Sequence, residues 1–142
     1  MRTPVVLLSI AALTAGLSAC GGSEVFEIEV GSCTDSSQLQ GDEVSQITLI
    51  DCAEEHDVEA YASTQVTGDT YPGKDAIREQ ADEFCLAEFT TFVGVPSYEE
   101  SALFFSYLYP TEESWNDAGD REILCLVISD TPVTGTLRGS GL

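Results

Sequence analysis

Three groups of residues in this 142-residue chain have the types and spacing that chemistry needs. The first surrounds His56, the one histidine, which follows Glu54-Glu55 and precedes Asp57. A histidine near neutral pKa held by a carboxylate is the core of a general base. The chain has no Gly-x-Ser-x-Gly elbow and no second histidine for a metal triad, so this cluster stands without a nucleophile or metal partner. The simpler role is a turn after Cys52 in which His56 hydrogen-bonds to backbone near a disulfide. The second group is Trp115-Asn116-Asp117-Ala118-Gly119-Asp120-Arg121, with Glu112 and Glu113 just before it. Its carboxylates and amide are hard oxygen donors that suit Ca²⁺. Their spacing does not match the D-x-[DN]-x-[DN]-G calcium loop, whereas Asn-Asp and Gly-Asp are turn formers and Arg121 is able to satisfy a carboxylate. Trp115 reads either as core or as an exposed anchor for a partner or glycan. Trp115, Asp117, Asp120 and His56 are therefore the candidate contacts for a partner or cation. The third group is Cys33, Cys52, Cys85 and Cys125. No two of them lie within C-x₂₋₄-C spacing, so no zinc site is expected. An even count reads as two disulfides; three pairings exist, and the one that joins sequence neighbours, Cys33–Cys52 with Cys85–Cys125, is favoured. That leaves no spare thiol nucleophile. The chain reads as a non-enzyme with no cofactor.

The compartment follows from the N-terminus. Arg2 precedes an apolar run from Val5 to Leu17, which is shorter than the ~20 residues of a spanning helix but matches a secretory h-region. It closes on Leu17-Ser18-Ala19-Cys20, which resembles the bacterial lipoprotein box, where the cysteine is lipidated and becomes the new N-terminus. Residues 1–19 are thus expected to be a lipoprotein signal peptide, residues 20–24 the lipidated Cys20 with a short spacer, and residues 25–142 a folded domain. The domain is placed on the extracytoplasmic face of the cell membrane, where disulfides persist. Without the leader, 123 residues carry 4 Lys/Arg against 25 Asp/Glu, a formal balance of −21. Such a surface repels nucleic acid, whose phosphates need Lys/Arg, and favours cations or a basic partner surface.

The elements that must position these residues are legible from periodicity. Val25–Val30 alternates, with Phe26, Ile28 and Val30 on one side, as a half-buried strand does. Cys33–Ser45 is polar and reads as loop. Ile47–Ile50 reads as a short strand, and Val58–Ser63, extended towards Val66, as a second, with Val58, Ala60 and Ala62 facing opposite to Glu59, Tyr61 and Ser63. Lys74–Val93 has helical spacing in Ile77, Ala81, Phe84, Cys85, Phe89 and Phe92, with Pro72 before it and Gly94 after it. Leu103–Tyr109 is aromatic and β-prone. Glu122–Ser129 is an almost unbroken apolar run, which suits a central strand buried on both faces. Thr134–Leu137 reads as an edge strand. The expected class is α+β: one main helix packed on an antiparallel sheet of four to five strands, braced by two disulfides.

Landmarks in register then support a family resemblance. They are Val30-Gly31-Ser32-Cys33, Asp51-Cys52 through His56-Asp57-Val58-Glu59, Tyr71-Pro72-Gly73 leading to Cys85, Pro110, Ser114-Trp115 with Gly119-Asp120-Arg121, Cys125, and Gly135-Thr136-Leu137. Over about residues 29–139 the chain resembles the septum-formation-related domain of exported and membrane-anchored proteins of high-GC Gram-positive bacteria. It departs from that pattern at Ser32, where an acidic residue often flanks the first cysteine, and in the acidic loop Asp35–Glu43. The resemblance implies a cell-envelope interaction role linked to cell division and supplies no active-site residues. The sequence thus points to a lipid-anchored, non-catalytic module that binds an envelope or division protein with a basic surface. The alternative is a lipoprotein that binds a cation or small ligand.

Overall fold

A computed structural model of the chain describes residues 23–24, 28–41, 44 and 46–142. The leader, Cys20 and the first half of the predicted strand Val25–Val30 lie outside the described residues. Among the described residues, six strands and one long helix follow in order: β1 (Ser23–Glu24), β2 (Cys33–Thr34), β3 (Gln46–Ile47), β4 (His56–Gln65), α1 (Lys74–Val93), β5 (Phe104–Leu108) and β6 (Glu122–Val133). β1 and β3 form a small antiparallel pair, so Ser23–Glu24, expected as spacer, is already paired. The main sheet is antiparallel in the order β2-β4-β6-β5, which puts the apolar run of β6 in the interior as predicted.

α1 occupies the predicted residues because its signals are all local. Ile77, Ala81, Cys85, Phe89 and Phe92 fall three or four residues apart and are all buried against the sheet. Gly94 ends the helix at φ +82°, its N–H donating to the Thr90 carbonyl at 3.0 Å. The Cys85–Cys125 disulfide ties α1 to β6, and the Tyr61 hydroxyl of β4 donates to the Cys85 carbonyl at 2.6 Å. Alternation along β6 sends Ile123, Cys125 and Val127 to the helix side and Leu124 and Leu126 to the other, where Ile28, Ile47, Val58 and Ala60 join them. Cys33–Cys52 closes the edge of the second layer, so the two bridges pair as sequence neighbours.

Four predicted stretches differ. Residues 28–30 are not strand: Ser32 N–H bonds back to the Glu29 carbonyl, a turn that buries Ile28 and leaves Val30 45 % exposed. The expected loop after Cys33 starts instead with edge strand β2. Of Ile47–Ile50, only Ile47 lies in a strand and Ile50 bridges Cys33, because the Gln38 amide takes the place of a neighbouring strand at Thr48. It accepts from Thr48 N–H at 2.7 Å and donates to the Thr48 carbonyl at 3.2 Å. Thr134–Leu137 forms no strand. The tail turns onto the end of α1, where Gly139 and Gly141 N–H groups bond the Phe92 and Val93 carbonyls at 2.7 and 2.9 Å. Those carbonyls lack helical partners, so capping them outweighs pairing another sheet edge.

Candidate functional site

A large concave feature among the described residues runs along the second sheet face beside β5. It is an open groove of about 1080 Å³ between the start of α1, β5, the 111–120 turn and the first half of β6. Leu108, Leu124 and Leu126 supply an apolar floor, since each lies on the strand face turned away from α1. Tyr71, Tyr107 and Tyr109 border it with their rings packed towards the α1-side core, Lys74 stands at the start of α1, and Glu112, Glu113, Asp117, Asp120 and Glu122 supply carboxylates along the turn and the start of β6. Burial pushes the Glu122 carboxyl above its ordinary range, helped by the nearby Asp120 charge and opposed by a hydrogen bond from Ser63. Burial likewise raises the Tyr107 and Tyr71 phenols.

The turn is rigid because nearly every polar group in it is used. Thr111 and Ser114 cap one another: each backbone N–H donates to the other's hydroxyl, at 3.0 and 3.1 Å. A single wide helical turn, Ser114–Ala118, ends at Gly119 with φ +70°, a conformation that suits glycine. Asp120 then ties both ends, accepting from the Ser114 hydroxyl and from Glu122 N–H at 3.0 Å each. Arg121 lies over the Trp115 ring at 3.5 Å and donates to the Trp115 and Asp120 carbonyls. Trp-x₃-Gly-Asp-Arg is therefore a device that holds the turn, and so the groove's acidic wall, in place.

The predicted contacts separate accordingly. Asp117 is exposed on the groove and Asp120 lines it, although both Asp120 oxygens serve the turn. Trp115 is only 2 % exposed, packed in the core beneath Tyr71, and offers no surface to a partner; the core reading is the one realised. His56 is fully buried. Its Nδ1 lies 2.9 Å from the Glu54 carbonyl, so His56 closes the turn after Cys52 as the simpler reading expects. Asp57 is no partner for it, since its carboxylate holds the Ser36 N–H and hydroxyl at 2.6 Å each. The general-base cluster is thus taken apart by the fold.

Sequence reasoning missed the three tyrosines and Glu59. Glu59 was expected on a polar strand face yet is 3 % exposed, its carboxylate accepting from the Thr136 hydroxyl and Leu137 N–H at 2.7 Å each. The signal was Tyr61 two residues on: it shares that face and is core.

Fold and groove together define a small disulfide-braced α+β module with an open groove bordered by acidic residues and tyrosines. The Septum formation family model matches residues 30–141, and the chain belongs to that family. An uncharacterized membrane protein of Mycobacterium tuberculosis, present in two strains, is 27 % identical over 104 residues, covering 66 % of this chain and 23 % of the relative. The chain spans under a quarter of the length of these curated relatives. No solved structure gives a significant match. No helix among the described residues is long and apolar enough to cross a membrane.

Proposed function

We propose that this protein is a lipid-anchored, non-catalytic interaction module of the septum-forming envelope, held by Cys20 on the extracytoplasmic face of the membrane, and that its groove binds a basic partner surface. The groove's lining carries the reading. Carboxylates beside an apolar floor suit Lys and Arg side chains, whose apolar stems cover leucines while their charged ends meet acids. The formal balance of −21 would steer such a partner and make association fall as salt rises. Family membership and the naming of the relatives as membrane proteins support the envelope setting. The groove argues against the cation-binding alternative, because an apolar floor does not serve a hard ion.

In-cell photocrosslinking tests this. A photoreactive phenylalanine at Tyr109 should give a discrete protein adduct, lost in the triple variant Glu112→Lys, Glu113→Lys, Asp117→Lys at equal protein level. An adduct of unchanged yield in the triple variant would refute the electrostatic groove.

A further inference from the structure

The corner at the first disulfide holds a buried histidine with an unused nitrogen. One ligand atom each of Cys33, His56 and Glu59 lie within 4.8 Å of one another, and the three residues are 1, 0 and 3 % exposed. Strand pairing sets this up: Cys33 of β2 stands opposite Glu59 of β4. Strict alternation would turn His56 to the other face, but the register shifts between His56 and Val58. With Nδ1–H directed to the Glu54 carbonyl, Nε2 presents a lone pair that has no hydrogen-bond partner among the described residues. A buried polar atom left without a partner is costly, and its retention calls for a ligand. Cys52 Sγ is bonded to Cys33 Sγ and brings a fourth donor to the same corner.

We propose that reduction of the Cys33–Cys52 disulfide converts this corner into a Zn²⁺ site with Cys33, Cys52, His56 and Glu59 as its four ligands. Two thiolates, an imidazole and a carboxylate are zinc donors, and four protein ligands make a closed tetrahedral site. Thiolate donors select zinc against Mg²⁺ and Ca²⁺. The supporting contacts already exist: the Glu54 carbonyl fixes the tautomer that presents Nε2, and Thr136 and Leu137 orient the Glu59 carboxylate. The step balances with an external dithiol. It gives two electrons and two protons to the Sγ–Sγ bond and itself becomes a disulfide; Zn²⁺ then displaces both thiol protons to solvent. The two bridges differ in access. Cys52 is half-buried at the surface, so an attacking thiolate reaches it, whereas Cys85 and Cys125 are both fully buried. The site lies outside the groove and does not depend on the groove's function.

The test uses the whole mature protein, purified without a histidine tag, reduced with a non-chelating phosphine and titrated with Co²⁺ and then Zn²⁺. Alkylation and mass mapping should find Cys33 and Cys52 free while Cys85–Cys125 stays closed. One Co²⁺ per chain should then give thiolate charge-transfer and intense tetrahedral d–d bands that Zn²⁺ abolishes, with none in the oxidised protein. Because His56 is the one histidine, its ring resonances report coordination without any substitution, and they should shift on adding Zn²⁺. His56→Gln should weaken Zn²⁺ binding by at least about 100-fold, the upper range for losing even an outer-shell partner. Earlier opening of Cys85–Cys125, absence of metal binding by the reduced chain, or binding that leaves the His56 ring unmoved would each overturn the proposal.

Discussion

Glu59→Ala is predicted to loosen the C-terminal tail and to cost far more than an ordinary strand substitution. The carboxylate is buried and accepts two hydrogen bonds of 2.7 Å from residues 77 and 78 positions away. A hydrogen bond to a charged group contributes about 1.5–3 kcal/mol, and an orphaned buried amide costs about 1–3 kcal/mol. Alanine removes both acceptors and strands the Leu137 N–H, so the loss should be about 3 kcal/mol. Glu59→Gln keeps an acceptor for Leu137 and offers its amide to the Thr136 oxygen, so it should lose about 1 kcal/mol, as should Thr136→Val. The assay is urea unfolding followed by Trp115 fluorescence, since the single tryptophan is buried and far from the substitution in sequence. The midpoint should fall with an unchanged slope. Hydrogen exchange should quicken at Gly139 and Gly141, whose amides cap α1. A loss under about 1 kcal/mol for Glu59→Ala, below what one orphaned amide costs, would refute the tail-latch reasoning.

Three further outcomes follow from the same geometry. Replacing Cys85 and Cys125 together by alanine should cost about 4 kcal/mol in the chain-entropy model, against about 3 kcal/mol for the shorter Cys33–Cys52 loop, measured as Tm under non-reducing conditions. Glu122 has its carboxyl raised in the folded state, so its contribution is most favourable below the unfolded carboxyl pKa and falls as pH rises through the folded one. Glu122→Gln should therefore raise stability at neutral pH and leave it unchanged near pH 3, read from denaturant midpoints at both; a gain confined to acid would contradict the burial effect. Binding of a Lys-rich peptide should weaken as NaCl rises, and Glu112→Lys with Glu113→Lys should weaken it further at low salt; anisotropy that ignores both changes would exclude the acidic wall.

What could be read from sequence was what local periodicity encodes. α1 carries its own stripe and punctuation, and β6 is apolar on every residue from Ile123 to Ile128, so neither needed tertiary knowledge. The tail misled because Thr134–Leu137 has strand-like composition, while Thr136 and Leu137 bond the Glu59 carboxylate and Gly139 and Gly141 the carbonyls of Phe92 and Val93, all more than forty residues away. Gln38 standing in for a strand beside Thr48 is likewise a side-chain substitution that no period reveals. For the site, Asp117 and Asp120 were legible as acids on a turn, but the tyrosines that join them come from the segment before α1 and from β5 and its end. His56 was legible as a turn residue; its neighbours Glu59 and Cys33 were not, because they meet it through pairing of β2 with β4 and a register shift.

The most direct measurement is the localisation of a C-terminal fluorescent fusion through a division cycle, alongside Cys20→Ala and the Glu112/Glu113/Asp117 triple Lys variant. A tethered groove-binding module predicts septal enrichment that disappears without Cys20 and weakens in the triple variant while total envelope signal stays constant. Uniform envelope distribution of the unaltered protein, or septal enrichment indifferent to both changes, would contradict it.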